Sequence, residues 1–363
     1  MEGNIFDYLE WRGDLTLEQS GLNAIDGLIF CCLAYVNYAR AKGNQQSLKE
    51  AYEITKTLPK EDQFCGLEIM REDALKLAEI ISDYARFEKI QVTDYVELHS
   101  EEMEKQFSAM TFLLPGNSIF IAFRGTDNTL VGWKENLNMS FIHGTPAQLE
   151  ATAFVESIAA KYPKKQINLG GHSKGGNLAV WAAIHCQEPI QERIQYVFNN
   201  DGPGFINDMS ETPEYKNIEK KMLAFVPESS IVGVLMGNAH YLTIESSSIS
   251  LMQHQPFSWK VLGRHFIYKV EKTFSSKIIS GYLNNIIETM SPEELEEFVD
   301  KLYENLKEND VKTISDLKKN LWKNSRDIIS QFRVLRGKSV ENEKRKNAII
   351  KTLDNLGNLI KKK

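Results

Sequence analysis

The hydrophobic rhythm of the chain changes three times. Over roughly residues 1–90 it is helical: Ala24-Ile25-Asp26-Gly27-Leu28-Ile29-Phe30-Cys31-Cys32-Leu33-Ala34-Tyr35 forms one apolar helix candidate and Asp73 to Ile81 another. From Phe87 to Leu98 the pattern alternates like a strand, with Ile90, Val92 and Tyr95-Val96 as its apolar members. Met110–Leu114 and Ser118–Phe123 follow as two strands joined by the turn Pro115-Gly116-Asn117, which predicts a hairpin. Thr145 to Tyr162 reads as a helix, and Ile167 and Leu169 after the polar Lys164-Lys165-Gln166 read as a buried strand. A second helix runs on through Leu178, Ala179, Ala182 and Ala183, and Tyr196–Asn200 and Met222–Val226 are two further short strands. Strands alternating with helices predict an α/β protein, with a mostly parallel sheet and helices on both faces.

Beyond about residue 275 the texture becomes charged and helical. Ser291-Pro292-Glu293-Glu294 combines an N-cap serine, a first-turn proline and acidic residues at the positive end of a helix dipole. Ile314, Leu317, Leu321, Ile328, Phe332 and Leu335 then recur at helical steps and their multiples, one apolar stripe on a helical appendage. This divides the chain into a domain over 1–275 and an extension over 276–363.

Between the strand ending at Leu169 and the following helix stands Gly170-Gly171-His172-Ser173-Lys174-Gly175-Gly176, a Gly-x-Ser-x-Gly turn laid out as a nucleophile elbow. A serine on so sharp a turn takes a sparsely allowed backbone conformation, so small residues must flank it where turn and helix approach. Gly171 and Gly175 occupy those places. A phosphate-binding loop fits less well, because no Gly-x-Gly-x-x-Gly occurs there and Lys174 is followed by glycine rather than by serine or threonine.

Composition narrows the class without changing it. Of 363 residues 42% are hydrophobic and 25% charged, with a formal net charge of -6, the profile of a soluble globular protein. No apolar run approaches a membrane span, and the N-terminus lacks the basic and apolar regions of a secretion signal, so a cytoplasmic protein is expected. Cys31, Cys32, Cys65 and Cys186 show no metal-binding or redox spacing and read as thiols in a reducing compartment. From Lys318 to Lys363 there are 14 Lys and Arg against 4 Asp and Glu, which leaves the rest of the chain near -16. Such a basic arm is read as solvated helix faces, with contact to an anionic membrane surface as a weaker alternative. Trp322 and Phe332 are too few aromatics for a nucleic-acid stacking platform.

If Ser173 is a nucleophile, a histidine must take its proton and a carboxylate must hold that histidine, in the chain order serine, acid, histidine. His185 lies about 18 Å along the helix leaving the elbow at the usual helical rise, too far to serve. Of His240, His254 and His265, His254 is favoured, because Gln253-His254-Gln255-Pro256-Phe257-Ser258-Trp259 has a proline and aromatics able to fix a loop. His240 follows the last strand after a shorter loop and stays open. For the acid, Asp201 in Asn199-Asn200-Asp201-Gly202-Pro203-Gly204 is placed ahead of Glu228 in Val226-Pro227-Glu228-Ser229-Ser230, because its short side chain sits at a glycine-flanked strand end. Oxyanion donors are expected from the Lys174 backbone N–H and from Thr126 in Phe123-Arg124-Gly125-Thr126-Asp127.

Phe123-Arg124-Gly125-Thr126, followed about 50 residues later by Gly171-His172-Ser173-Lys174-Gly175-Gly176, resembles the class 3 lipase type of α/β-hydrolase. A fuller set looks like an uncharacterised bacterial family of lipase-like hydrolases: Asn4-Ile5-Phe6-Asp7-Tyr8-Leu9, Trp11-Arg12-Gly13-Asp14, Asp201-Gly202-Pro203-Gly204-Phe205, Ser230-Ile231-Val232-Gly233 and the His254 loop. The resemblance covers roughly residues 1–270 and implies an α/β-hydrolase fold, a nucleophile at Ser173, an oxyanion role for Thr126 and His254 over His240. It also implies a lipid or small-molecule ester substrate and no cofactor or metal. Where class 3 lipases carry their aspartate, just after the strand Met222–Val226, this chain has Ser230, so Asp201 or Glu228 must take that part or the triad is incomplete.

Overall fold

The computed structural model describes residues 2–38, 45–237, 240–269, 284 and 290–308. The apolar stripe from Ile314 to Leu335, the basic arm and the expected boundary near 275 lie outside the described residues.

The N-terminal region is helical, as its periodicity predicts: α1 (Ile5–Arg12), α2 (Ala24–Leu33), α3 (Leu48–Thr55) and α4 (Arg71–Ile80). Capping boxes at Asn4, Asn23 and Ser47 start the first three by pairing orphan backbone donors with side-chain oxygens. A buried ion pair staples this region, with Arg86 on Asp26 at 2.5 Å and the Tyr8 hydroxyl donating to the same carboxylate at 2.7 Å. The adjacent Cys31 and Cys32 are interior residues of α2, and burial pushes both thiols well up.

The sheet has eight strands in strictly sequential order: β1 (Gln46–Ser47), β2 (Gln91–Ser100), β3 (Lys105–Leu114), β4 (Ser118–Phe123), β5 (Gln166–His172), β6 (Ile194–Asn200), β7 (Met222–Pro227) and β8 (Leu242–Ile244). The first four pair antiparallel, including the expected hairpin, and β4 to β8 run parallel. Between the parallel strands lie α5 (Leu130–Asn138), α6 (Pro146–Lys161), α7 (Lys174–His185), α8 (Glu188–Arg193) and α9 (Pro213–Glu219). Successive parallel neighbours joined by crossovers of one hand place their helices on one face. The packing agrees: α6, α7 and α9 form one core with Ile119, Ile121 and Phe123, while Phe120 and Ala122, alternating with them on β4, face a second core. That second core is built from α1 to α4. Helices cover both faces as predicted, but the second layer comes from the N-terminal region rather than from crossovers.

A short hairpin of β9 (Val261–Leu262) and β10 (His265–Phe266) follows, and then α10 (Pro292–Glu308). Ser291 caps α10 reciprocally with Glu294. Leu295 and Val299 are buried, and Lys134 of α5 joins Asp300 at 2.7 Å, so this helix docks on α5. Helix α5 was not legible in the sequence, because Leu130-Val131-Gly132-Trp133-Lys134-Glu135 mixes polar and apolar residues with no clear period. A mostly parallel sheet with helices on both faces and a serine elbow between β5 and α7 is the α/β-hydrolase fold.

Candidate active site

Strand register assembles the site. Phe123 of β4 pairs with Gly171 of β5, and Gly171 pairs with Asn199 of β6, so three carboxyl ends lie side by side. Thr126, Ser173 and Asp201 leave those ends, where ligands bind in parallel sheets.

Ser173 adopts φ 59 and ψ -133, a strained conformation for a residue with a side chain. Its N–H donates to the Asn200 carbonyl at 3.0 Å and its own carbonyl accepts from Gly176 at 2.9 Å, which locks the turn between β6 and the start of α7. The tightness is measurable at the glycines: a Cβ on Gly171 would lie 2.0 Å from the Gly175 carbonyl carbon, and one on Gly175 would lie 2.2 Å from the Phe123 carbonyl oxygen. Backbone meets backbone at both places, so no side chain fits. Ser173 itself is partly exposed, above a buried first turn of α7.

Asp201 is fully buried and also has a positive φ, at 55. Its Oδ2 lies 2.6 Å from His254 Nδ1 and accepts from the Ser230 hydroxyl at 2.6 Å, while its Oδ1 accepts from the Gly233 N–H at 3.1 Å. A Cβ on Gly233 would come within 2.3 Å of Oδ1, so glycine is needed for that approach. Ser230, just after β7, thus binds through its hydroxyl the carboxylate that follows the preceding strand. That part was not legible in Ser230-Ile231-Val232-Gly233, because it depends on the chain after β7 folding back over β6.

The His254 loop is fixed as its composition predicts. Gln253 accepts from the Ser229 N–H at 2.7 Å, the Trp259 indole donates to the Gln253 carbonyl at 2.8 Å, and Gln255 reaches Ile69 and Asp73 at 3.1 Å each. Phe257 stacks on Phe6 with ring centroids 5.9 Å apart. His172, next to the serine, places its Nε2 2.7 Å from the His254 carbonyl, and the two imidazole rings lie 4.6 Å apart. Burial holds His172 well below the usual histidine range, with the neighbouring His254 adding to the effect.

The other candidates stand elsewhere. Glu228 lies one strand farther out and pairs with Lys269 at 3.8 Å. His240 is exposed, 3.9 Å from Glu219; His265 lies on the β9–β10 hairpin; His185 stacks on Trp181 at 3.8 Å at the far end of α7. Thr126 is buried, and its Oγ1 accepts from Asn136 of α5 at 2.5 Å. Lys174 opens α7, where a backbone N–H has no intrahelical acceptor. Its side chain is buried, with Nζ 2.5 Å from Glu135 and 2.6 Å from the Gln106 carbonyl. Arg124 pairs with Glu97 at 2.6 Å, and Asp127 instead accepts from Thr129 at the start of α5. Among the described residues no cluster of three or more His, Cys, Asp or Glu is arranged to hold a metal ion, and no helix is long and apolar enough to cross a membrane.

No curated protein matches the chain in sequence. Among solved structures it is similar to the Lip2 lipase of Yarrowia lipolytica, at 13% identity over 70% of this chain and 89% of that one, with a TM-score of 0.36. The Rhizomucor miehei lipase propeptide complex is similar at 16% identity over 64% and 76%, with a TM-score of 0.36. A lipase from Rhizopus microsporus var. chinensis follows at 14% identity over 73% and 83%, with a TM-score of 0.35. A family model described as Mbeg1-like matches residues 81–304, more than half of the chain and a span that includes the elbow, Asp201 and the His254 loop. The protein belongs to the Mbeg1-like family.

Proposed function

We propose that this protein is a serine hydrolase that cleaves a carboxylic ester through an acyl-enzyme on Ser173. The observation that carries the reading is the 2.6 Å pairing of His254 Nδ1 with a buried Asp201, on a loop whose His254 carbonyl is held by the residue next to Ser173. With Nδ1–H donating to Asp201, Nε2 is the free basic nitrogen of His254 and takes the Ser173 proton as Oγ attacks the ester carbonyl. The tetrahedral oxyanion is met by the Lys174 N–H at the positive end of α7 and by Thr126. His254 then protonates the departing alcohol, and a water deprotonated by the same nitrogen attacks the acyl-enzyme to release the acid and free Ser173. Ser230 and Gly233 hold Asp201 in position, so the carboxylate serves from β6 instead of β7. A lipid or small-molecule ester is the substrate class proposed, in keeping with the resemblance of the chain's motifs to class 3 lipases, and the unpaired thiols of Cys31, Cys32, Cys65 and Cys186 support a reducing, cytoplasmic setting.

Labelling by a fluorophosphonate probe tests the reading, together with hydrolysis of p-nitrophenyl esters of graded chain length. Labelling is expected in the wild type and absent in Ser173→Ala, and Asp201→Asn should lower turnover by about 10⁴-fold, the scale of a lost triad carboxylate. Glu228→Gln should leave both unchanged. A wild type that stays unlabelled under conditions that label a known esterase would overturn the proposal.

A further inference from the structure

We propose that Tyr35, just past the end of α2, is a positioning residue that ties the three loops of the site into one unit; this rests on the hydrolase reading above. Its phenol oxygen lies 3.1 Å from His172 Nδ1 and 3.3 Å from the His172 carbonyl. The same oxygen packs against the backbone of Gly125, the residue before Thr126. A Cβ on Gly125 would sit 2.2 Å from that phenol oxygen, so the approach requires glycine there.

The direction of each hydrogen bond follows from what the atoms can do. The His254 carbonyl only accepts, so His172 Nε2, at 2.7 Å, carries the proton. Buried and neutral, His172 then has Nδ1 as an acceptor, and the Tyr35 O–H is shared between that nitrogen and the His172 carbonyl. The chain of contacts runs from Gly125, packed on the phenol, through the Tyr35–His172 hydrogen bonds to the His254 carbonyl. It joins the oxyanion loop, the elbow and the base loop. A shift of the elbow or of the base loop breaks a buried hydrogen bond, and a shift of the oxyanion loop opens the contact of Gly125 with the phenol. The Tyr35 hydroxyl bonds to His172, and the residue comes from the N-terminal helical region, outside the 81–304 span of the family match.

Tyr35→Phe removes the hydroxyl and keeps the ring against Phe64, whose centroid lies 6.1 Å away. In this variant kcat per probe-titrated site should fall about tenfold or more, the scale of a misplaced reacting group, while KM stays within about twofold. Hydrogen exchange measured by mass spectrometry should accelerate together in peptides covering 123–127 and 252–256, with β6 peptides unchanged. An unchanged kcat per titrated site overturns the proposal, and so does faster exchange in one of the two loops alone. Tyr35→Leu, if it folds, should show the same pairing of effects. If the wild type neither labels nor hydrolyses, the hydrolase reading fails, and the exchange experiment still decides whether Tyr35 tethers the two loops.

Discussion

Replacing Glu135 by Gln isolates the buried ion pair beneath the elbow. Glu135 is fully buried: its Oε2 accepts from Lys174 Nζ at 2.5 Å and from the Gln106 N–H at 2.8 Å, and its Oε1 accepts from the Ala147 N–H at 2.8 Å. A glutamine of the same shape offers one oxygen and one NH₂, so at least one of these donors would face another donor. Lys174 also loses its counter-charge. Burial already draws its ammonium below the usual lysine range, and Glu135 is the largest influence opposing that. Removing one partner of a buried pair costs about 3–5 kcal/mol. A domain's whole stability is about 5–15 kcal/mol. At a urea slope near 3 kcal/mol/M the unfolding midpoint should drop by about 1–2 M. The pH dependence has a definite sign. A lysine whose folded pKa is lowered binds more protons unfolded than folded in the window below about 10.4, so stability rises with pH there. The Glu135→Gln deficit should therefore shrink between pH 7 and pH 9.5. A midpoint within about 0.3 M of wild type at pH 7, or a deficit that grows with pH, would refute this account of the pair.

Three further changes have directions set by the structure. Gly171→Ala drives a methyl into the Gly175 backbone, which cannot yield without opening the elbow, so a loss of more than about 3 kcal/mol in thermal unfolding is expected, or no soluble protein. Buried His172 contributes stability that is complete above its unfolded pKa of about 6.5 and is lost as pH falls below it toward the lowered folded value. Urea midpoints at pH 7.5 and 5.5 should consequently diverge more in wild type than in His172→Gln. Lys134→Met removes the ammonium that joins Glu104 and Asp300 and lies 4.8 Å from the Tyr303 ring, so limited proteolysis within 290–308 should quicken while α5 stays protected.

Some of this architecture is written locally and some is not. The elbow is legible because its constraints are short-range: alternation in β5, glycines where the turn is crowded and helical spacing in α7 all fall within a dozen residues. The hairpin of β3 and β4 and the cap at Ser291 are legible for the same reason. Helix α5 is not, because Glu135 and Lys134 are held by partners on other elements rather than by a repeating apolar face. Strand β8 is too short to show a period.

The sequence by itself determined the elbow serine and the glycines around it, since backbone sterics within so short a stretch need no third dimension. It left Asp201 and Glu228 as alternatives, because each is a carboxylate at the end of a parallel strand. Tertiary structure decided which of them meets His254: the β5–β6 pairing sets Asp201 one strand from the elbow, and the turn after β7 brings Ser230 and Gly233 onto its carboxylate. It also decided the company of His172, because Tyr35 arrives from the turn after α2, 137 residues away in sequence. Hydrogen bonds at such separations depend on packing, and packing is a property of the folded chain alone.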